Sequence, residues 1–140
     1  MTARQRFAVV GNPIKQSKSP VIHRAFARQC DIQLEYRAVR VELDDFERAV
    51  PAFFAGGGRG LNITVPFKER AAALAAQLTP RAARAAAANT LWCDENDVIH
   101  GDNTDGLGLV RDMVANLGWT VQGARILVIG AGGAVRGVLE

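Results

Sequence analysis

RILVIGAGGAVRG, Arg125 to Gly137, is an apolar run that enters a glycine-rich turn and leaves it as a helix. Arg125–Gly130 reads as a strand, and Gly130, Ala131, Gly132, Gly133 and Ala134 as the turn. A strand before and a helix after separate a dinucleotide-binding turn from a chance glycine cluster. Glycine permits the tight bend and lets the backbone approach a pyrophosphate, and the helix start offers free N–H donors. Val135 stands where the third glycine of the usual spacing falls, and Gly137 follows two residues later. No Gly-Lys-Ser/Thr follows, so the turn is not a P-loop. A plain strand-to-helix turn is the alternative reading. Residues that separate NAD from NADP lie about 20 positions further on, beyond Glu140.

Upstream, short apolar runs alternate with helical patterns. Arg6–Gly11 (RFAVVG), Leu34–Val41 and Gly60–Val65 read as strands. Pro20–Cys30 and Leu43–Ala55 read as helices, the second stopping at Gly56-Gly57-Gly58. A helix is expected from Pro66 to about Leu78 and another from Thr79-Pro80 to near Asn89. Thr90–Cys93 and Val98–Asp102 flank a turn and read as a hairpin. A helix from about Thr104 to Leu117 should stop at Gly118. The β-α-β-α-β opening implies an α/β fold, a mostly parallel sheet with helices on both faces. The first β-α unit of a truncated Rossmann domain follows it. The expected division is a substrate-binding domain over 1–104, a connecting helix and linker over 105–122, and the start of a dinucleotide-binding domain over 123–140. A mononucleotide-binding half needs further strands, so the chain reads as a fragment. The strand at 125–130 would then leave an unpaired apolar edge prone to association.

Composition is globular: 140 residues, 49% hydrophobic and 22% charged, with 17 basic and 14 acidic residues and a net charge of +3. The arginines are scattered, and no basic block marks a nucleic-acid or membrane surface. Cys30 and Cys93 match no metal or redox spacing and read as small hydrophobes. No metal site is expected. Neither a signal peptide nor a spanning segment is legible, which leads to the expectation of a cytoplasmic protein.

Three places carry chemistry. Gly11–Pro20 (GNPIKQSKSP) follows the first strand at its C-terminal end, the edge where open α/β sheets bind ligands. Ser17 and Ser19, beside a helix start, suit a carboxylate; Ser19 can equally be a helix cap. Asn62–Lys68 (NITVPFK) puts Lys68 in the first turn of a helix. A cation there opposes the helix dipole, at about 0.3–1 kcal/mol. Lys68 is a candidate for proton exchange with a substrate hydroxyl, or else an exposed lysine paired with Glu69. Gly101–Gly106 (GDNTDG) ends a strand and starts a helix. Asp105 either caps that helix or faces Lys68 across a cleft. Asn89-Thr90 would add a neutral donor and acceptor to the same cleft. His23 and His100 lie outside any loop or glycine context, and a structural role is expected for both.

Five stretches together closely resemble the shikimate dehydrogenase family: GNPIKQSKSPVIH (Gly11–His23), LNITVPFK (Leu61–Lys68), ANTL (Ala88–Leu91), GDNTDGLG (Gly101–Gly108) and GAGGAVRGV (Gly130–Val138). They come in the family's order and span nearly the whole chain. The resemblance implies NADPH-dependent, reversible reduction of 3-dehydroshikimate to shikimate in aromatic amino-acid biosynthesis, by a monomer or homodimer. It implies that Ser17 and Ser19 hold the substrate carboxylate, and that Thr64, Lys68, Asn89 and Asp105 surround the ring hydroxyls and the reacting carbonyl. Lys68 with Asp105 would be the acid/base, and Gly130–Ala134 would cradle the cofactor. Gln16 stands where the family often has histidine, Ile63 replaces a frequent valine, and Ala87-Ala88 replaces a small-residue and valine pair. The alternatives are a quinate/shikimate dehydrogenase using NAD and a non-catalytic ligand-binding module of the same fold. The 140 residues alone are expected to turn over little or no shikimate.

Overall fold

The computed structural model describes residues 4–140. Six strands form one sheet in the order β2-β1-β3-β5-β6-β4. They are β1 (Gln5–Gly11), β2 (Leu34–Arg40), β3 (Gly58–Ile63), β4 (Gln77–Leu78), β5 (Thr90–Cys93) and β6 (Ile99–Asp102). β2 and β3 flank β1 in parallel, β4 runs parallel to β6, and β5 is antiparallel to both its neighbours. The first three strands and the hairpin fall where the apolar pattern placed them.

The helices are α1 (Ser19–Gln29), α2 (Phe46–Ala55), α3 (Lys68–Leu74), α4 (Pro80–Ala85), α5 (Asp105–Arg111) and α6 (Gly133–Val138). β1 is buried on both sides, because helices cover both faces of the sheet. Ala8 and Val10 join the larger core with Phe46, Val50 and Phe54 of α2, spaced four residues apart on one helix face. Phe46 stacks on Phe67 at 4.6 Å between ring centroids. Val9 points the other way, into a smaller cluster with Ile14 and Tyr36 beneath α1.

Three expected helices are shorter than their patterns. The one read from Pro66 to Leu78 occupies Lys68–Leu74 only. The Ala75 backbone turns extended, Ala76 N–H donates to the Ile99 carbonyl at 2.9 Å, and Gln77–Leu78 joins the sheet edge as β4. Alanine favours helix, yet edge hydrogen bonds to β6 outweigh that weak preference. α4 ends at Ala85 because Ala86 takes a left-handed conformation, φ 47°. Ala87 and Ala88 then run extended and fully buried. α5 ends at Arg111 and continues as a turn of π-helix over Asp112–Asn116. Gly118 does stop it, at φ 67°. Arg125–Gly130, expected as a strand, has no regular secondary structure and pairs with nothing among the described residues, and Leu127 and Ile129 are 84% and 87% exposed.

No helix among the described residues is long and apolar enough to cross a membrane.

Candidate active site

β1, β3 and β6 run in one direction and β5 against them. Their topology therefore brings the residues after Gly11, after Ile63, before Thr90 and after Asp102 to one edge of the sheet. Ser17, Ser19, Thr64, Lys68, Asn89 and Asp105 all belong to the segments gathered there.

Lys68, the first residue of α3, donates from Nζ to Asp105 Oδ2 at 2.6 Å. Both side chains are well covered, at 13% and 24% exposure. A charge-assisted hydrogen bond is strong, and more so where water is partly excluded. Asp105 does not cap its helix; the Asp105 N–H is instead accepted by Asn103 Oδ1 at 3.1 Å. That leaves both carboxylate oxygens free for the cleft. Asn89 Nδ2 donates to Asp105 Oδ1 at 2.9 Å and to Thr104 Oγ1 at 2.9 Å. Asn89 Oδ1 accepts from Thr90 Oγ1 at 2.9 Å and from Thr104 N–H at 3.1 Å. Lysine, carboxylate and amide thus form one fixed unit.

The unit continues along the edge. Asn62 Nδ2 reaches Thr90 Oγ1 at 3.5 Å, and the Tyr36 hydroxyl donates to Asn62 Oδ1 at 2.6 Å. Burial pushes the Tyr36 phenol well above its usual range, with the Ser19 hydroxyl pulling the other way. A polar line thus runs from Lys68 to Tyr36. Ser19 is not the cap of α1: its own N–H donates to Ser17 Oγ at 3.3 Å, and no side chain caps the helix. Thr64 lies half-buried just past β3, its N–H donating to the Val10 carbonyl at 2.9 Å.

The glycine turn sits beside the pair. Val65, Pro66, Lys68 and Glu69 face Gly132, Gly133 and Ala134 across a cavity of 280 Å³. Gly133 packs so close that a Cβ there would lie 2.9 Å from Lys68 Cβ. A Cβ on Gly132 would meet nothing within 4 Å. The turn is therefore closed toward Lys68 and open on its other side, which suits backbone donors around a bulky anion. Glu69, which lines the same cavity, is turned toward Arg136 at 3.8 Å.

The family model described as "Shikimate dehydrogenase substrate binding domain" matches residues 9–91. The chain belongs to that family. It is 60% identical over 134 residues to the shikimate dehydrogenase (NADP(+)) of Alkalilimnicola ehrlichii, covering 96% of this chain and 49% of that protein. To the enzyme of the same name from Marinobacter nauticus it is 58% identical, over 95% of this chain and 48% of that one. Among solved structures, the shikimate dehydrogenase of Thermus thermophilus in complex with shikimate superposes with a TM-score of 0.87 at 34% identity, over 96% of this chain and 50% of that one. The chain spans about half the length of the relatives it matches.

Within this shikimate dehydrogenase domain the sequence reading missed two polar residues, while Thr90 was anticipated together with Asn89. Tyr36 sits in a strand, and Asn62 lies inside a quoted motif without a role. Their pattern signals were those of strand residues, and only the sheet register lines them up with Thr90. The two histidines do serve structure. His23 stacks on Tyr36 at 4.2 Å. His100 stacks on Trp92, and its Nε2 lies 2.9 Å from Asp94 Oδ2, toward the hairpin turn. Cys30 is exposed, contrary to its reading as a buried hydrophobe, because α1 turns it away from the sheet; Cys93 is half-buried against the larger core.

Proposed function

We propose that this chain supplies the substrate-binding half and the start of the cofactor-binding half of an NADP-dependent shikimate dehydrogenase. The carrying observation is the 2.6 Å Lys68–Asp105 pair, pinned by Asn89 and placed against the glycine turn. Residues 1–104 act as the substrate-binding domain, 105–122 as the connector and 123–140 as the start of the dinucleotide-binding domain. Close relatives carry the name shikimate dehydrogenase (NADP(+)), which supports the same reaction class and cofactor here. A cytoplasmic monomer or homodimer is the matching setting.

The Ser17 and Ser19 hydroxyls hold the substrate carboxylate at one end of the polar line. Thr64, Asn89 and Asp105 hold the ring hydroxyls at the other. Lys68 Nζ gives its proton to the carbonyl oxygen of 3-dehydroshikimate as the carbonyl carbon is reduced. In the reverse direction it takes the proton from the shikimate hydroxyl. Asp105 Oδ2 keeps the amine aimed through either step. The backbone of Gly130–Ala134 would hold the pyrophosphate of NADP, which when bound supplies or accepts the hydride.

The test joins this chain to the second half of the Alkalilimnicola ehrlichii relative and follows shikimate oxidation with NADP and with NAD. Turnover with NADP is expected. Lys68→Ala should lower kcat by about 100-fold or more, the usual range for a lost general acid/base. The shikimate KM should change little, marking a transition-state contact. An unchanged kcat in Lys68→Ala overturns the acid/base assignment, and shikimate binding without turnover favours the non-catalytic module. The 140 residues alone should bind shikimate weakly and turn over little.

A further inference from the structure

Among the described residues Asn103 is the one polar side chain buried to 2% exposure. It makes no hydrogen bond to any side chain assigned to substrate, yet both ends of its amide are engaged. Nδ2 donates to the Ala87 carbonyl at 2.9 Å, and Oδ1 accepts the Asp105 N–H at 3.1 Å. The next residue, Ala88, donates its N–H to the Lys68 carbonyl at 2.8 Å. The backbones of Lys68 and Asp105 are therefore tied through Ala88, Ala87 and the Asn103 amide, a brace behind the 2.6 Å ion pair at the front. Asp102 holds the brace from below: its Oδ1 accepts the Asn103 N–H at 2.7 Å and Arg81 Nε at 2.7 Å.

One face of α6 closes over this brace. Gly133 packs on the stem of Lys68. Gly137, one turn later, packs on Asn103 so closely that a Cβ would lie 2.5 Å from Nδ2 and from Oδ1. Residues four apart share a helix face, so one rigid element bears on Lys68 directly and on Asp105 through Asn103. We propose that Asn103 is a positioning residue for Lys68 and Asp105, and that Gly137 is the contact through which the glycine-rich helix sets their alignment. Seating the cofactor-binding segment and aligning the proton-transfer pair are then one event. This inference rests on the reaction proposed above.

The test measures turnover in the two-domain chimera and backbone amide shifts in the 140-residue chain. Asn103→Ala removes both hydrogen bonds. The expected result is a kcat lowered by about tenfold or more, one decade being a small misalignment of a transition-state group. The shikimate KM should stay near its starting value, and the Asp105 amide proton should move upfield as its acceptor is lost. Gly137→Ala reaches the same amide from α6 and should give the same kcat loss and a shift at Asp105, even if Asn103→Ala fails to fold. Lys68→Ala is the control for the underlying reading. If it abolishes turnover while Gly137→Ala leaves kcat and the Asp105 amide unchanged, the inference is overturned. A variant that lowers thermal stability alone, with kcat per folded molecule intact, overturns it as well.

Discussion

Arg6–Gly11 and Arg125–Gly130 carry nearly the same hexapeptide, RFAVVG and RILVIG, and meet opposite fates. The first is the β1 strand, hydrogen-bonded on both sides, with Val9 and Val10 almost wholly buried. The second has no regular secondary structure, pairs with no strand among the described residues and leaves Leu127 and Ile129 in solvent. Apolar, β-branched composition suits a strand but does not make one; neighbours on both edges and cover on both faces do. The same contrast divides the chain. The large core draws only on residues from Ala8 to Ile99, whereas Leu107, Leu117, Trp119 and Leu139 remain exposed. Yet the loosely covered part contributes Asp105, half of the proposed acid/base.

The contrast can be broken most severely from the packed side. Phe46→Ala should cost about 3–5 kcal/mol, the range for deleting a buried aromatic ring, because Phe46 is fully buried against Phe67. Urea unfolding reads this directly; a loss under about 1 kcal/mol would mean that the core repacks around the gap.

Asp102 sharpens the contrast at the junction of the two parts. Arg81, mainly, and Thr79 hold its carboxyl down to about 2 from the ordinary 3.8, against a smaller desolvation effect. A depressed folded-state value stabilises the fold above the unfolded value and loses that contribution as pH falls through the folded one. Stability should therefore drop between the ordinary carboxylate value and about 2. Asp102→Asn should remove about 2 kcal/mol at neutral pH, as for a hydrogen-bonded charged group. It should also flatten this part of the acid profile in thermal melts from neutral to acidic pH. An unchanged acid limb would place the stabilisation elsewhere.

The smallest effect is expected in the exposed hexapeptide. Leu127→Ala should change stability by no more than about 0.5 kcal/mol. Amides of residues 125–130 should exchange with solvent far faster than those of β1, since exchange follows local opening. Slow exchange there would reveal a partner for the segment, through association or otherwise.

Much of the fold was legible because periodicity and punctuation agree along the first 104 residues. RFAVVG, the glycine stop after α2 and the Thr90–Asp102 hairpin each show a local signature that tertiary packing upholds. The errors cluster where competing hydrogen bonds decide. Gln77–Leu78 leaves the helix pattern for a sheet edge, and RILVIG lacks any edge to join. At the site, Lys68, Asp105, Asn89, Thr90, Ser17 and Ser19 stand out because each occupies a strand end or helix start, whereas Thr64 enters only through the family resemblance. Tyr36 and Asn62 do not stand out, since a polar side chain within a strand announces nothing until a neighbouring strand supplies its partner. Asn103 follows a strand end as well, and only the tertiary structure shows its buried amide to be shared between Ala87 and Asp105.

The sequence by itself determined which residues lie near chain reversals, and hence the candidates for chemistry, because caps, glycines and prolines act within a few positions. It also determined the parallel opening of the sheet, through apolar runs too short for helices. Only the tertiary structure decided that Lys68 and Asp105 meet, that Asp105 is spared from capping, and that α6 leans on Lys68 and Asn103. Those outcomes depend on strand register and on the close approach of glycine backbones, which join residues far apart in the chain and leave no local trace.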